Sequence, residues 1–332
     1  MSDFFDLPEK SFSKNGSNRG FIEDPNIYDP NPDKYNGSYR SVFRFIPYQH
    51  DKSKTKYTKY TCKIWNPLTK EKLIVDCPSN EEKPSFLWTL ETTIRSFKKS
   101  EPDLFANLTA SFSRWFTHTS PIYIKKDPQR PDLEGQIKFL QFRNQIDDFI
   151  EQQLNPEEIE GVSSRKINPY HLLEGKDFLC VVSKKTKEFR DWSKCKFMDE
   201  VTPFVFKVGE KQIATSTDPK IIKVLEEFLL KNTPSMDKYL HISWTEDTYT
   251  QVADAICAVI PKTVLEMAMA KSKDQKMNSL IKERISSNSK STSSTDFEES
   301  LIFGGSTKTT EVEKPSKSTD SDDEYDDLFK DL

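Results

Sequence analysis

Residues 56–65, KYTKYTCKIW, alternate rings and ammonium groups with a period of two. In an extended strand, Tyr57, Lys59, Thr61, Lys63 and Trp65 share one face, and Thr58, Tyr60, Cys62 and Ile64 share the other. The second set reads as core. The first set carries what a flexible polyanion with exposed bases requires. Cations neutralise phosphates, and flat rings offer any base a stacking surface worth about 1–3 kcal/mol. The alternative is a solvated strand face whose rings cover a neighbouring loop. Lys52, Lys54, Lys56, Lys70 and Lys72 surround the same strand.

A second cluster lies at residues 182–197, VSKKTKEFRDWSKCKF, where Lys184, Lys185, Lys187, Arg190, Lys194 and Lys196 surround Phe189 and Trp192. It follows an apolar strand and reads as a loop or strand end, either a nucleic-acid contact or a lysine-rich loop with its rings turned inwards. A third, SFSRWFTHTS at 111–120, sets Arg114, Trp115 and Phe116 among hydroxyl residues, with Arg114 as a candidate nucleic-acid contact. Trp115 reads as core there.

These clusters sit inside a patterned charge distribution. The 332 residues carry 49 Lys and Arg against 53 Asp and Glu, a formal net charge of −4. Residues 38–75 hold nine bases and two acids, whereas residues 311–332 hold nine acids and three bases. A basic block near the front thus faces an acidic tip. The tip presents Asp322, Asp323, Glu324, Asp326 and Asp327 beside Leu328, Phe329 and Leu332. Carboxylates with an apolar hook suit docking into a basic groove, on a partner or on the chain itself; plain solvation is the alternative.

Other chemistries lack their residues. No apolar run approaches about 18 residues, so no membrane span is expected. The start, MSDFFDLPEK, is not a secretory signal. Five widely spaced cysteines (62, 77, 180, 195, 257) fit a reduced, cytoplasmic protein. Phosphate-cradling GxGxxG and GxxxxGK[ST] motifs, HExxH and the nucleophile elbow are missing, so no enzyme is expected. Cys62, Cys77 and His50 come from one region, but no CxxC presents two donors to a zinc ion.

The elements that position these residues follow from periodicity. Residues 1–37 are turn-rich and read as an N-terminal arm. Residues 38–285 form the core. Strands are expected at 39–46, 56–65, 121–125, 136–143, 177–183 and 202–208. Leu90, Ile94 and Phe97 mark a helix after Pro84–Ser85, and Ile146, Phe149 and Ile150 mark another. A stripe at Ile221, Val224, Leu225, Phe228 and Leu229 enters through Asp218 and Pro219. Val252, Ala255, Ile256 and Val259 form the next stripe, and a third helical stretch runs from Pro261 towards Arg284. Residues 286–332 are too polar to offset their ordering entropy and read as a disordered acidic tail. The sum is an α+β chain: a small Greek-key β-barrel with inserted helices and a helical end.

Several blocks together resemble the helix-destabilising single-stranded DNA-binding proteins of T-even-like tailed phages. They are NRGF (18–21), VFRFIP (42–47), KDPQRPDLEGQIKFLQF (126–142), NPYHLLEGKDFLCVV with EFRDWSKCKF (168–197), and the DDLFKDL end. The resemblance runs from about residue 18 to residue 332, although most positions differ. It implies an OB-fold-like core that binds single-stranded DNA without sequence preference during viral replication, recombination and repair. It also implies an acidic tail that recruits replication and recombination proteins. Phe189 and Trp192 match positions where the family faces DNA with rings, and VFRFIP carries Arg44, which is expected to hold phosphates together with the lysines around 52–63 and 184–196. The chain departs from the family where Asn80 replaces the second Cys of a CPxC pair, so no zinc cofactor is expected. Self-association along DNA is implied, but this N-terminus offers only Lys10, Lys14 and Arg19 for it. A protein-interaction scaffold and an RNA-binding protein are the alternatives.

Overall fold

The structure, a computed structural model, describes residues 24–77, 85–156, 165–184 and 190–291, with side chains to residue 287. Its strands are β1 (Ile27–Tyr28), β2 (Ser38–Phe45), β3 (Tyr57–Trp65), β4 (Lys72–Asp76), β5 (Phe112–Lys126), β6 (Ile137–Phe142), β7 (Gly175–Lys184), β8 (Arg190–Asp191), β9 (Lys196–Thr202), β10 (Val205–Val208) and β11 (Lys211–Ala214). Its helices are α1 (Phe86–Ser100), α2 (Pro102–Ser111), α3 (Asn144–Leu154), α4 (Pro219–Asn232), α5 (Glu246–Val259), α6 (Lys262–Lys271) and α7 (Gln275–Ser291).

Strands β1–β9 form one mixed sheet in the order β1-β6-β5-β2-β7-β8, with β3 and β4 extending from β5 and β9 from β7. The β1–β6 pair is parallel and the other pairs are antiparallel. The α+β class is as expected. The strand path ends at β1 and β8 without closing, so the described residues form no closed barrel.

Strand β5 organises the sheet. On one edge it pairs with β3 from Phe112 to Thr119 and then with β2 from Ile122 to Lys126. Pro121 sits where the partner changes. A proline has no N–H for a ladder, and here only its carbonyl is used, accepting from Ile46 N at 3.2 Å. Residues 112–120 therefore belong to a strand that the sequence reading started only at 121. The proline masked the continuity of the β-branched and aromatic run.

The inner face of β3 and β5 buries Cys62, Ile64 and Phe112 against α1, α5, α6 and α7 through Leu90, Ile94, Ile256, Leu265 and Ile281. A second core packs Tyr28, Tyr39, Phe43, Phe45, Phe178 and Phe197 between the other strands and α3. Each such ring or aliphatic side chain contributes about 1.5–3 kcal/mol on full burial. Helix starts obey their caps. Ser85 Oγ accepts from Trp88 N, and Asp218 caps α4 with Pro219 at its first position.

The third helical stretch is two helices. The chain breaks after Lys271, and Asp274 Oδ1 restarts it by accepting from Met277 N at 3.1 Å. Helix α7 then runs to Ser291, past the boundary expected at 285. Ser286 and Ser287 stay helical with their hydroxyls bonded to the Lys282 and Glu283 carbonyls.

Arg44 corrects an expectation. It was read as a phosphate contact, yet its side chain is fully buried. Its Nη2 donates to the His171 and Thr202 carbonyls at 3.0 Å each, and its Nη1 lies 3.5 Å from Asp177. It ties β2 to β7, β9 and the loop before β7. Gly175 lets that network close, because a Cβ there would collide with the His171 carbonyl and the Arg44 guanidinium. Gly175→Ala is expected to lower stability by about 1–3 kcal/mol, the usual cost of overpacking, in a urea titration. Wild-type stability would show that the loop yields without cost.

Candidate nucleic-acid interface

Directly opposed residues of antiparallel strands share a face. The registers pair Thr61 with Trp115 and Asp76, Lys63 with Ser113 and Ile74, and Trp65 with Lys72. The outer face of β4–β3–β5 thus gathers Lys63, Trp65, Lys72, Ile74 and Trp115. Trp65 and Trp115 are half-buried and belong to none of the four hydrophobic clusters. Ile74 is 51% exposed. The alternation read from the sequence holds, since Cys62 and Ile64 are the buried members of the opposite face.

The β3–β4 hairpin frames this face. Asn66 Oδ1 accepts from Leu68 N and Thr69 N, and Asn66 O accepts from Lys70 N at 2.8 Å. Lys70 takes the left-handed conformation that closes the turn, with φ at 59°. Leu68 stands 72% exposed at the tip, next to Trp65 and Lys72 on the two strand ends.

Carboxylates decide which cations remain available. Lys54 pairs with Asp51, Lys56 with Asp147 and Glu151, and Lys59 with Asp76 at 2.7 Å. Lys63 and Lys72 have no carboxylate partner among the described residues. Burial, and then the charge of Lys72, lower the pKa of Lys63. An incoming phosphate would relieve that repulsion.

Other sequence-predicted residues lie elsewhere. The Tyr57 hydroxyl accepts from His241 N at 3.0 Å, and its ring packs against the Tyr48, Phe139, Met236 and Tyr239 cluster. It anchors the sheet to the segment before α5 and is no free stacking surface. Arg114 points to the inner side of β5. Its guanidinium lies 4.0 Å from the Tyr60 ring centre and 4.5 Å from that of Trp88, and pairs with Glu91 at 2.9 Å. With its side chain 8% exposed, it clamps α1 to the sheet and makes no part of the outer face.

Lys184 pairs with Asp33, and Arg190 with Asp29, joining the β7–β8 edge to the N-terminal arm. Trp192 packs on the core of Tyr28, Tyr39 and Phe43. It therefore sits in the turn after β8 and against a core, whereas Trp65 stands on β3 outside every cluster. Lys185, Lys187 and Phe189 lie outside the described residues, as do the tail residues Asp322, Asp323, Glu324, Asp326, Asp327, Leu328, Phe329 and Leu332.

The chain matches no protein-family model and no curated protein.

The region that the resemblance associates with zinc holds a different donor set. Cys77 Sγ lies 3.2 Å from Ser85 Oγ, and Cys62 neighbours it. His50 is elsewhere, with its Nε2 3.4 Å from the Thr233 carbonyl. The Arg114 guanidinium also stands beside the thiols. Among the described residues this set is two thiols, a hydroxyl and a cation, whereas a tetrahedral zinc site calls for four thiolate, imidazole or carboxylate donors. Residues 78–84, which include Glu81 and Glu82 but no Cys or His, lie outside the described residues.

Sequence reasoning missed Trp115, whose place opposite Thr61 puts it on the cationic face. The signal was the same period of two that revealed β3. Ser113, Trp115 and Thr117 alternate with Arg114, Phe116 and His118.

Proposed function

We propose that this protein binds single-stranded DNA without sequence preference and acts by binding, not by catalysis. One observation carries the reading. Lys63 and Lys72, without carboxylate partners among the described residues, share an outer sheet face with Trp65 and Trp115, two rings outside every core. Cations there would hold phosphates while successive bases stack on the rings. Binding the unpaired form in preference would protect it and melt weak duplexes by mass action.

The sequence resemblance extends the proposal to coating of viral DNA during replication, recombination and repair in a host cytoplasm, with self-association along the strand. In this reading the acidic tail recruits replication and recombination proteins. The sheet region around β5, shared between β3 and β2, serves as an OB-fold-like binding core.

Titration with oligo-dT is expected to quench tryptophan emission with an affinity that falls as salt rises. The log–log slope is about −0.7 per phosphate neutralised. Lys63→Ala and Lys72→Ala are each expected to flatten that slope by about 0.7. No quenching and no salt dependence would end the proposal. Competition with a matched RNA strand separates the two polymers, and tighter binding of RNA would reassign the substrate.

A further inference from the structure

Four of the five cysteines lie in two neighbouring pairs, and the strand registers treat them differently. In the β7–β9 ladder Phe178 faces Phe197 and Leu179 faces Lys196. Continued one step beyond Leu179–Lys196, that register would bring Cys180 opposite Cys195, the residue before β9. Both side chains enter the same core as Phe178 and Phe197. The thiols contact each other, and Cys195 Sγ also accepts from Val181 N at 3.2 Å and donates to the Val181 carbonyl at 3.4 Å. Directly opposed residues have Cα atoms about 4.5–5.5 Å apart, inside the range a disulfide spans.

The other pair is out of step. Cys62 faces Val75, whereas Cys77 N bonds to the Tyr60 carbonyl. Cys62 and Cys77 are therefore diagonal neighbours, about 7–8 Å apart at Cα, at or beyond the limit for a bridge without backbone movement.

We propose that Cys180 and Cys195 form an oxidisable dithiol that closes to a disulfide under a hydroperoxide and reopens under a dithiol reductant. The Cys195 thiolate attacks the peroxide. An S–O bond forms, the O–O bond breaks, and the leaving oxygen departs as hydroxide or alkoxide, to be protonated by water. The Cys180 thiol then attacks the Cys195 sulfur, so that S–S forms, S–O breaks, and water leaves with the Cys180 proton. The two sulfurs lose two electrons and the peroxide gains them.

The local chemistry supports this division of labour. Hydrogen bonds from the Cys180 thiol and from Val181 N–H hold Cys195 below the ordinary thiol range, while burial pushes Cys180 up. Cys195 also directly follows the exposed Ser193 and Lys194, so a small shift of that turn admits a small oxidant. The closed bridge would pin β7 to the turn between β8 and β9, which carries Trp192.

The test exposes the folded full-length protein to hydrogen peroxide, blocks residual thiols by alkylation, and maps peptides without reduction. The expected product is a linked Cys180–Cys195 peptide pair that is lost on dithiothreitol treatment and missing in Cys180→Ser and in Cys195→Ser. Cys62 and Cys77 should remain alkylatable after unfolding. The oxidised wild type should also unfold at higher urea than the reduced form. Should a serine variant fail to fold, trapping Cys195 sulfenic acid with dimedone in wild type gives an independent readout. Overturning results are alkylation of both thiols after peroxide treatment, or a bridge that forms only in denaturant. So is a Cys62–Cys77 bridge that forms in preference.

Discussion

Alanine at both Trp65 and Trp115 is expected to weaken oligo-dT binding by about 30-fold or more, since each stacking ring contributes about 1–3 kcal/mol. The two rings lie on adjacent strands, and Trp115 faces Thr61, four residues from Trp65. Four strand residues span about 13 Å, far enough for the rings to engage different bases and for their losses to add. Each single variant should therefore show about half of the combined free-energy change. Because the substitutions remove the fluorescent reporters, anisotropy of a labelled oligo-dT is the suitable readout. Neither ring belongs to a hydrophobic cluster, so the urea midpoint should stay near wild type. An affinity within a factor of two of wild type, with the fold intact, would move the binding face elsewhere.

What the sequence made legible follows from how local each signal is. The 3.6 period and the Asp218–Pro219 cap placed α4, and a period of two placed β3 with Cys62 and Ile64 inward. These features depend on neighbours a few residues away. The open sheet was not legible, because β5 exchanges β3 for β2 on the same edge, a long-range pairing that leaves only Pro121 as a local mark. The availability of cations was hidden for the same reason. Lys56 meets Asp147, Lys59 meets Asp76, and Arg190 meets Asp29, all across long sequence separations. A count of bases along residues 38–75 therefore overstated the cationic surface. The pairing with β4 singles out Lys63 and Lys72 on the face that the alternation had already marked.

Arg44→Met is expected to cost about 3–5 kcal/mol of stability, because two carbonyls lose a charged donor at about 1–3 kcal/mol each. Methionine fills similar length without charge, so what the substitution removes is mainly the hydrogen-bonded network. The His171 and Thr202 carbonyls would lose their donor, and Asp177 would keep Lys125 alone. With a urea dependence of about 1–3 kcal/mol per molar, the midpoint should fall by more than about 1 M. Oligo-dT affinity, measured on the folded protein at low temperature, should stay within about two-fold of wild type, because a fully buried guanidinium contributes little to an outer-face contact. The two readouts separate the alternatives for this residue. Lost stability with retained affinity makes Arg44 a structural tie between β2, β7 and β9. Retained stability with weakened affinity would restore Arg44 to the phosphate contacts that its motif suggested, and would require the loop at His171 to open when DNA binds.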